Sequence, residues 1–598
     1  MREFTAPDTI EIDSGDNLAK TVARHAAERP DTVLFRRKLD DSWQPVTAAE
    51  FNTEVRALAK GLVANGILPG DRVALMASTS YEWTLVDYAV FTAGAVTVPV
   101  YDTSSQSQVD WIVGNSGAKL AFAQTPALAA LLEKARGEAP ALSSVWTWED
   151  GGIDEMYQLG EDVPDDEIDR RIEGTHAESI ATLVYTSGTT GRPKGCELTH
   201  LNLLSNARSA TSQGLADMFT QPEAATLLFL PLAHVFARII EVFCVENAVT
   251  FGHCKDMKND LIADLGSFRP TFILAVPRVF EKVFNSAASK ATLSGKGKIF
   301  DRAAGVARDY SKALDTGGPG VGLKVQHALF DRLVYGKLRD VMGGRVMYAV
   351  SGGGPLAPEL AHFFRGIGLR VLEGYGLTET SPVVSVNLPA DVRIGTVGRP
   401  IGGTTVRIAD DGEILVKGPQ IFTGYWQNDE AAKETFDEDG WFKTGDLGDL
   451  DADGYLRITG RKKEIIVTAG GKNVSPSILE DRMRMHPVVS QCMVVGDNKP
   501  YIGVLVTLDA ETLPDWLKAR GKEQLDPEQA KDDPDVQRAV QVAVDDANTL
   551  VSKAEAIKRF RIVSGDWTLD GGELTAKLSL KRKVVMERMA DDVEELYT

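Results

Sequence analysis

Cysteine is scarce in this chain of 598 residues: Cys196, Cys244, Cys254 and Cys492 stand far apart and form no CxxC pair. That spacing excludes a disulfide framework and fits a reducing, cytoplasmic compartment. Positive charge is also short, with 65 Lys and Arg against 85 Asp and Glu and a formal net charge of -20. A field of that sign repels phosphate backbones, so nucleic acid is not an expected partner and any phosphate ligand must be held by local groups. Long apolar runs are missing too. The stretches 239–249 and 271–280 are interrupted by Glu241, Glu246, Pro277 and Arg278, and fall short of the roughly 20 residues that span a bilayer. The acidic start, MREFTAPDTIEIDSGDN, has neither the basic end nor the apolar centre of a signal peptide. Any membrane contact is therefore expected to be peripheral. HExxH and GxSxG are absent, which removes the zinc-enzyme and serine-hydrolase readings.

What is present is an ordinary globular composition, 43% apolar and 25% charged, in a chain too long for one core, so at least two domains are expected. From Gly70 to Tyr101 the runs RVALMAS and AVFTAGAVTVPVY bracket a helix-like YEWTLVDYAV. KLAFAQ, ATLVYTS, TFILAVP and RVMYAVSGG repeat the theme, each expected to lead through a Gly- or Pro-marked turn into a helix. This patterning predicts a layered α/β domain over residues 1–461, with a mainly helical insertion between Phe284 and Gly344. Residues 462–598 are expected to form a small α+β domain: strand EIIVTAG, helix SPSILEDRMRMH, and a strand pair VSQCMVVG and YIGVLVTL. The acidic region 509–546 reads as a solvated helical face. No internal repeat stands out.

The densest chemistry lies in YTSGTTGRPKG, 185–195. Gly188 and Gly191 allow the backbone close to an anion, Thr186, Ser187, Thr189 and Thr190 offer hydroxyl donors, and Lys194 adds a positive charge. The string is a candidate polyphosphate loop. It is not a Walker A loop, because Arg192 and Pro193 separate Gly191 from Lys194. EGYGLTET, 373–380, sets Tyr375, Gly376, Thr378 and Glu379 on one short loop, where an aromatic face can stack on a base and a carboxylate can hold Mg²⁺. SGGGPL, with Gly352, Gly353 and Gly354, is by itself a weak turn signal, and His234 beside Ala233 and Val235 is by itself a packed residue. Asp449, Asp451, Asp453 and Gly454 imitate the start of a calcium loop, but position twelve is Gly460 instead of Glu, so Asp453-Gly454 is expected to be a hairpin turn.

The string 185–195 resembles the signature of the adenylate-forming superfamily. The chain carries further motifs of that family in order: LPLAHVFAR from Leu230, AVPRVFEK from Ala275, SGGGPL from Ser351, EGYGLTET from Glu373, KTGDLG from Lys443, TGRKKEIIVTAGGKNVSP from Thr459 and ELTAKL from Glu573. The resemblance implies a large multi-layer α/β adenylate-forming N-terminal domain with a small mobile α+β C-terminal domain. It implies ATP, Mg²⁺ and coenzyme A as ligands. The phosphates would lie on the loop Thr186–Lys194 and the metal at Thr186 and Glu379. Adenine would lie against Gly352, Gly353, Gly354, Tyr375, Gly376 and Thr378, and the ribose at Asp446 with Arg461 as its companion. Lys463 matches the family's hinge position, Gly470, Gly471 and Lys472 would approach coenzyme A, and Lys577 matches the catalytic lysine of the C-terminal domain. Lys581 is the other candidate in the same basic run.

His234 matches the acid-binding region, where amino-acid-activating relatives carry Asp, so the resemblance points to a fatty or aryl acid. The insertion, the length and the wording of LPLAHVFAR look most like bacterial long-chain fatty acid–CoA ligases. The implied reaction turns a fatty acid and ATP into an acyl-adenylate and pyrophosphate, then passes the acyl group to CoA with release of AMP. The alternatives are a fatty acyl-AMP ligase that loads a carrier protein, a medium-chain or aryl acid–CoA ligase, and a non-catalytic nucleotide sensor. No carrier domain follows Thr598, which makes CoA the expected acceptor. Monomer and homodimer are both left open.

Overall fold

The strand, helix and strand expected across Gly70–Tyr101 form as Arg72–Met76, Tyr81–Thr92 and Val96–Val100. Ser80 starts the helix by accepting a hydrogen bond from the Trp83 amide at 3.2 Å. The computed structural model describes residues 1–598 apart from 41, 187–191, 220–222, 258, 569–570 and 576–579. Strand Arg72–Met76 shows why these runs are apolar at successive positions. Val73 and Leu75 join one buried cluster and Ala74 and Met76 another, on opposite faces of the sheet.

Among the described residues, that sheet has seven strands in the order 424–425, 194–199, 180–186, 96–100, 72–76, 120–123, 144–147. A nine-stranded sheet runs 399–400, 383–386, 370–376, 348–351, 272–275, 225–228, 250–253, 33–39, 42–47. One buried core joins both sheets, with Trp83, Phe91 and Leu203 in it beside Phe272 and Leu372. A five-stranded antiparallel sheet joins the N-terminal strand 3–5 to 405–408, 413–417, 442–450 and 456–461.

Two details differ from or refine the sequence reading. ATLVYTS does not lead directly to a helix: Ile180–Thr186 pairs antiparallel with Lys194–Thr199, and only then does Thr199 cap the helix His200–Ser212 through a reciprocal bond pattern with Asn202. KGCELT is too polar for its alternation to announce a strand. The calcium-like aspartates do sit at a hairpin, between 442–450 and 456–461. Arg393 binds Asp451 and, at 2.9 Å, Asp453, so a guanidinium stands beside these carboxylates.

The insertion consists of helices Pro277–Leu293, Gly297–Leu314 and Val321–Phe330, the last running through a π turn at Asp331–Tyr335 into Gly336–Val341. From Ile466 onward the buried residues form clusters of their own, and half-buried Met485 also packs against the large core. These clusters surround a sheet of 489–495, 502–508 and 557–562 backed by helices Pro476–Arg484 and Pro534–Asn548. The helix of the acidic region is amphipathic: Val536, Val540, Ala543, Val544 and Ala547 are buried and Arg538 and Asp545 are exposed, while Asp546 turns in to bind Arg482 at 2.8 Å. This C-terminal part touches the insertion through polar pairs, Arg278 with Asp509 at 3.5 Å and Lys282 with Glu511 at 3.1 Å.

Candidate active site

The hairpin register sets Asp446 opposite Arg461, and the end of strand Arg370–Gly376 brings Tyr375 to the same point. The Tyr375 hydroxyl donates to Asp446 Oδ2 at 2.7 Å and Arg461 Nε lies 3.0 Å from Oδ1. Both carboxylate oxygens are thus oriented, and each retains a lone pair for an incoming hydroxyl. Burial, then the nearby Asp446 charge, pushes the Tyr375 phenol well above its usual range, which keeps it a donor. A vicinal diol such as ribose fits this fixed, buried carboxylate.

Glu379 sits in the single turn Thr378–Thr380. Asn206, from the helix His200–Ser212, holds that turn by donating to the carbonyls of Thr380 at 3.3 Å and Val383 at 2.9 Å. Tyr425 donates to Glu379 Oε1 at 2.8 Å, while Lys194 Nζ lies 5.0 Å from the centre of the Tyr425 ring. One phenol therefore links the carboxylate and the ammonium. Thr186 and Lys194 face each other across the hairpin. Ser187, Gly188, Thr189, Thr190 and Gly191 lie outside the described residues. On the return side, Trp111 Nε1 donates to the Pro193 carbonyl at 2.8 Å and the Arg192 guanidinium stands 4.7 Å from the Trp111 ring. Glu379 offers one hard oxygen donor next to an expected phosphate, which fits Mg²⁺, an ion that takes few protein carboxylates and completes its shell with phosphate and water.

Gly352, Gly353, Tyr375, Gly376, Thr378 and His234 line one end of a cavity whose wall is apolar, from Phe236, Ile239, Ile240 and Phe243 on helix Val235–Glu246 to Leu215 and Met218. Its empty space is about 850 Å³, the open mouth included. A Cβ on Gly352 would come 2.8 Å from the Phe236 ring, and one on Gly376 would overlap the Pro382 carbonyl oxygen at 1.6 Å. Glycine at 352 therefore serves to seat the cavity wall as well as to admit a ligand. Gly354 meets only Pro277, at 3.9 Å, and carries no such constraint. His234 caps the helix: its Nδ1 accepts from the Phe236 amide at 3.1 Å, so in the neutral ring the proton is on Nε2.

Four residues beyond the sequence-derived set belong to this machinery. Tyr425 and Asn206 are introduced above; neither stands in a recognisable motif. Glu373, the first residue of EGYGLTET, accepts from the Leu356 amide at 3.4 Å, and burial pushes it up to about 8, so it is protonated at neutral pH. Arg238, the last residue of LPLAHVFAR, is 1% exposed. It donates from Nε to Asp87 at 2.9 Å and from a terminal nitrogen to Thr182 at 2.6 Å. It thereby ties the cavity helix to strand Ile180–Thr186, which ends at the candidate phosphate loop.

Lys463, Gly470, Gly471 and Lys472 are not assembled with these. Lys463 is exposed in the turn Lys462–Glu464, where its neighbour Lys462 bridges Asp411 at 2.6 Å and Glu413 at 2.8 Å. Gly470 and Gly471 are exposed between the short strands Ile466–Val467 and Asn473–Val474, and Lys472 Nζ lies 3.3 Å from Glu555. None of the four lines the described cavity. Lys577 lies outside the described residues. Its flanks are held by the Leu574–Leu580 bridge and by the Lys581 amide donating to the Glu573 carbonyl at 2.7 Å.

The family model for AMP-binding enzyme matches residues 22–426 and that for the AMP-binding enzyme C-terminal domain matches 463–598, so the chain belongs to the AMP-binding enzymes. It is 47% identical, over 100% of both chains, to the long-chain-fatty-acid–CoA ligase FadD15 of Mycobacterium bovis, and equally so to that of Mycobacterium tuberculosis. It is 29% identical to the long-chain-fatty-acid–CoA ligase ACSBG2 of Xenopus laevis, over 95% of this chain and 82% of the other. Among solved structures it resembles the adenylation domain of a carboxylate reductase from Mycobacterium chelonae, with a TM-score of 0.74 at 22% identity over 98% and 92% of the two chains. An o-succinylbenzoate CoA synthetase of Bacillus subtilis, in complex with ATP and magnesium ion, gives 0.65 at 21% identity over 94% and 98%.

Proposed function

We propose that this protein is a long-chain fatty acid–CoA ligase that works through an acyl-adenylate. The observation that carries the reading is Tyr375, which lines an apolar cavity and donates to Asp446 beside Arg461, on the same short loop as Glu379, which Tyr425 links to Lys194. The identity to long-chain ligases over the whole chain supports the substrate class. The ribose hydroxyls bind Asp446, the base lies against Tyr375 and the 352–354 backbone, and the acyl chain occupies the cavity beneath His234.

In the first half-reaction a fatty carboxylate oxygen attacks the α-phosphorus, a P–O bond forms, and the bond to pyrophosphate breaks. The carboxylate is already ionised, so no general base is needed and electrostatic stabilisation supplies most of the rate. Thr186 and Glu379 are the groups that would hold Mg²⁺, which when bound offsets charge on the phosphates. Lys194 and the loop hydroxyls act on the same charge, and Lys577 neutralises the α-phosphate and carboxylate as they meet. In the second half-reaction the CoA sulfur attacks the acyl carbon and AMP leaves.

The two domains, 1–461 and 462–598, are read as turning about Lys463 between the two steps. Gly470, Gly471 and Lys472 then replace Lys577 at the site. The exposed pair Lys282 with Glu511, between the insertion and the C-terminal part, suits such motion, since polar domain contacts separate readily. Among the described residues no helix is long and apolar enough to cross a membrane, and contact with a bilayer is read as peripheral.

Lys577→Ala tests the mechanism. It is expected to abolish ATP–pyrophosphate exchange while synthetic acyl-adenylate and CoA are still converted to thioester. Unchanged exchange would move the role to Lys581.

A further inference from the structure

The insertion carries an apolar stripe that none of the described residues covers. On Val321–Phe330 and its continuation, Val321, Val325, Leu329, Leu333 and Val341 are 81%, 65%, 56%, 50% and 44% exposed. Singly exposed apolar side chains need no explanation, but a run along one element does. A stripe at every fourth residue drifts by about 40° per step around an α-helix. The π turn at Asp331–Tyr335 absorbs an extra residue, which brings Leu333 back towards the line of Val325 and Leu329.

The inner side of this element is fixed. The His327 ring stacks on Tyr310 at 3.9 Å and bonds to the Gly366 carbonyl at 2.6 Å, and the Tyr335 hydroxyl donates to the Ala303 carbonyl at 2.7 Å. The stripe is thus the outward side of a docked helix.

The charge around it runs against the rest of the molecule. Between Phe284 and Gly344 there are ten Lys or Arg and five Asp, a net of +5 in a chain of -20. Lys324, Arg332 and Lys337 are exposed and interleave with the stripe, whereas Asp331 is bound by Arg339 at 2.6 Å; Asp340 is the one exposed acid from 321 to 341.

We propose that this face docks on an anionic lipid bilayer, with Val321, Val325, Leu329 and Leu333 entering the headgroup boundary and Lys324, Arg332 and Lys337 binding headgroup phosphates. Apolar side chains interleaved with basic ones are the pattern of a helix lying in a membrane interface. A second copy is a poorer occupant, because a two-fold contact would set the exposed Lys324, Arg332 and Lys337 of one copy against the same cations of the other. The inference deepens the peripheral contact proposed above and gives it a place, at a face separate from the residues assigned to chemistry.

The test is co-sedimentation of the full-length protein with vesicles of phosphatidylcholine alone or with about 30% phosphatidylglycerol. Binding is expected to need the anionic lipid and to weaken at least about tenfold in roughly 0.5 M salt. Val325→Asp with Leu329→Asp, and separately Lys324→Glu with Arg332→Glu, should each weaken it at least about tenfold. Both variants should keep the wild-type melting temperature and turnover of a short, water-soluble acid. Absence of binding to anionic vesicles, or binding that neither pair of substitutions changes, overturns the proposal. So does a concentration-dependent dimer abolished by Val325→Asp, which would give the face to a second copy. Vesicle binding without thioester formation from any acid would sink the ligase reading and leave this one standing.

Discussion

The helices Val235–Glu246 and Val321–Phe330 are alike in apolar content and opposite in fate. In the first, every residue from Val235 to Val245 is buried, including Arg238 and Glu241; in the second only Phe330 is buried. The first supplies the wall of a ligand cavity and the second leaves its apolar side to solvent. Apolar content therefore did not decide burial here. What differs is what packs on each side: strands and helices surround Val235–Glu246, whereas Val321–Phe330 has a single supporting layer. In the buried helix even charge is accommodated, because Asp87 takes the Arg238 fork and burial neutralises Glu241.

The largest expected effect comes from breaking the buried side of this contrast. Arg238→Ala leaves Asp87 as an unpaired charge in the core, at a cost of about 3–5 kcal/mol in urea unfolding. A loss below about 1 kcal/mol would mean the pair is not what lets the helix be buried.

Glu241 gives a smaller, pH-dependent effect. Burial, then the neighbouring Asp87 charge, pushes it from 4.5 up to about 8. Between those values the unfolded chain releases the proton and the folded chain keeps it, so stability falls as pH rises through the window, by at most about 1.4 kcal/mol per pH unit. Glu241→Gln should flatten that part of the curve of unfolding free energy against pH. An identical slope in both proteins would place the titration elsewhere.

The smallest effect sharpens the exposed side. Val325→Ser removes only solvent-facing apolar surface and should change unfolding free energy by no more than about 0.5 kcal/mol. A larger loss would show that the stripe is packed in solution.

Much of the site was legible because it sits in continuous strings. Asp446, Tyr375, Glu379 and Lys194 each lie in a motif of six or more residues, and Gly352 and Gly376 mark backbone that admits no Cβ without a shift of its neighbours. Tyr425 and Asn206 were missed since each acts alone, joined to Glu379 and its turn only through sheet pairing and helix packing. Arg238 and Glu373 were inside quoted motifs, yet nothing in a linear string tells a buried charge from a solvated one. The return strand Lys194–Thr199 was missed for a related reason: its polar composition suits a turn, and only pairing with Ile180–Thr186 holds it extended.

The sequence by itself determined the chemistry-bearing loops, the α/β alternation, the helical insertion and the small α+β unit after Arg461, because local composition and spacing dictate these. Tertiary structure alone decided that Asp446 faces both Tyr375 and Arg461, that Glu379 and Lys194 share Tyr425, and that one apolar helix lines a cavity while another meets solvent. Those outcomes depend on side chains from separate elements being brought into contact: Tyr375 and Asp446 are 71 positions apart, and Tyr425 and Glu379 are 46 apart. Register and packing set those contacts, and no local pattern records them.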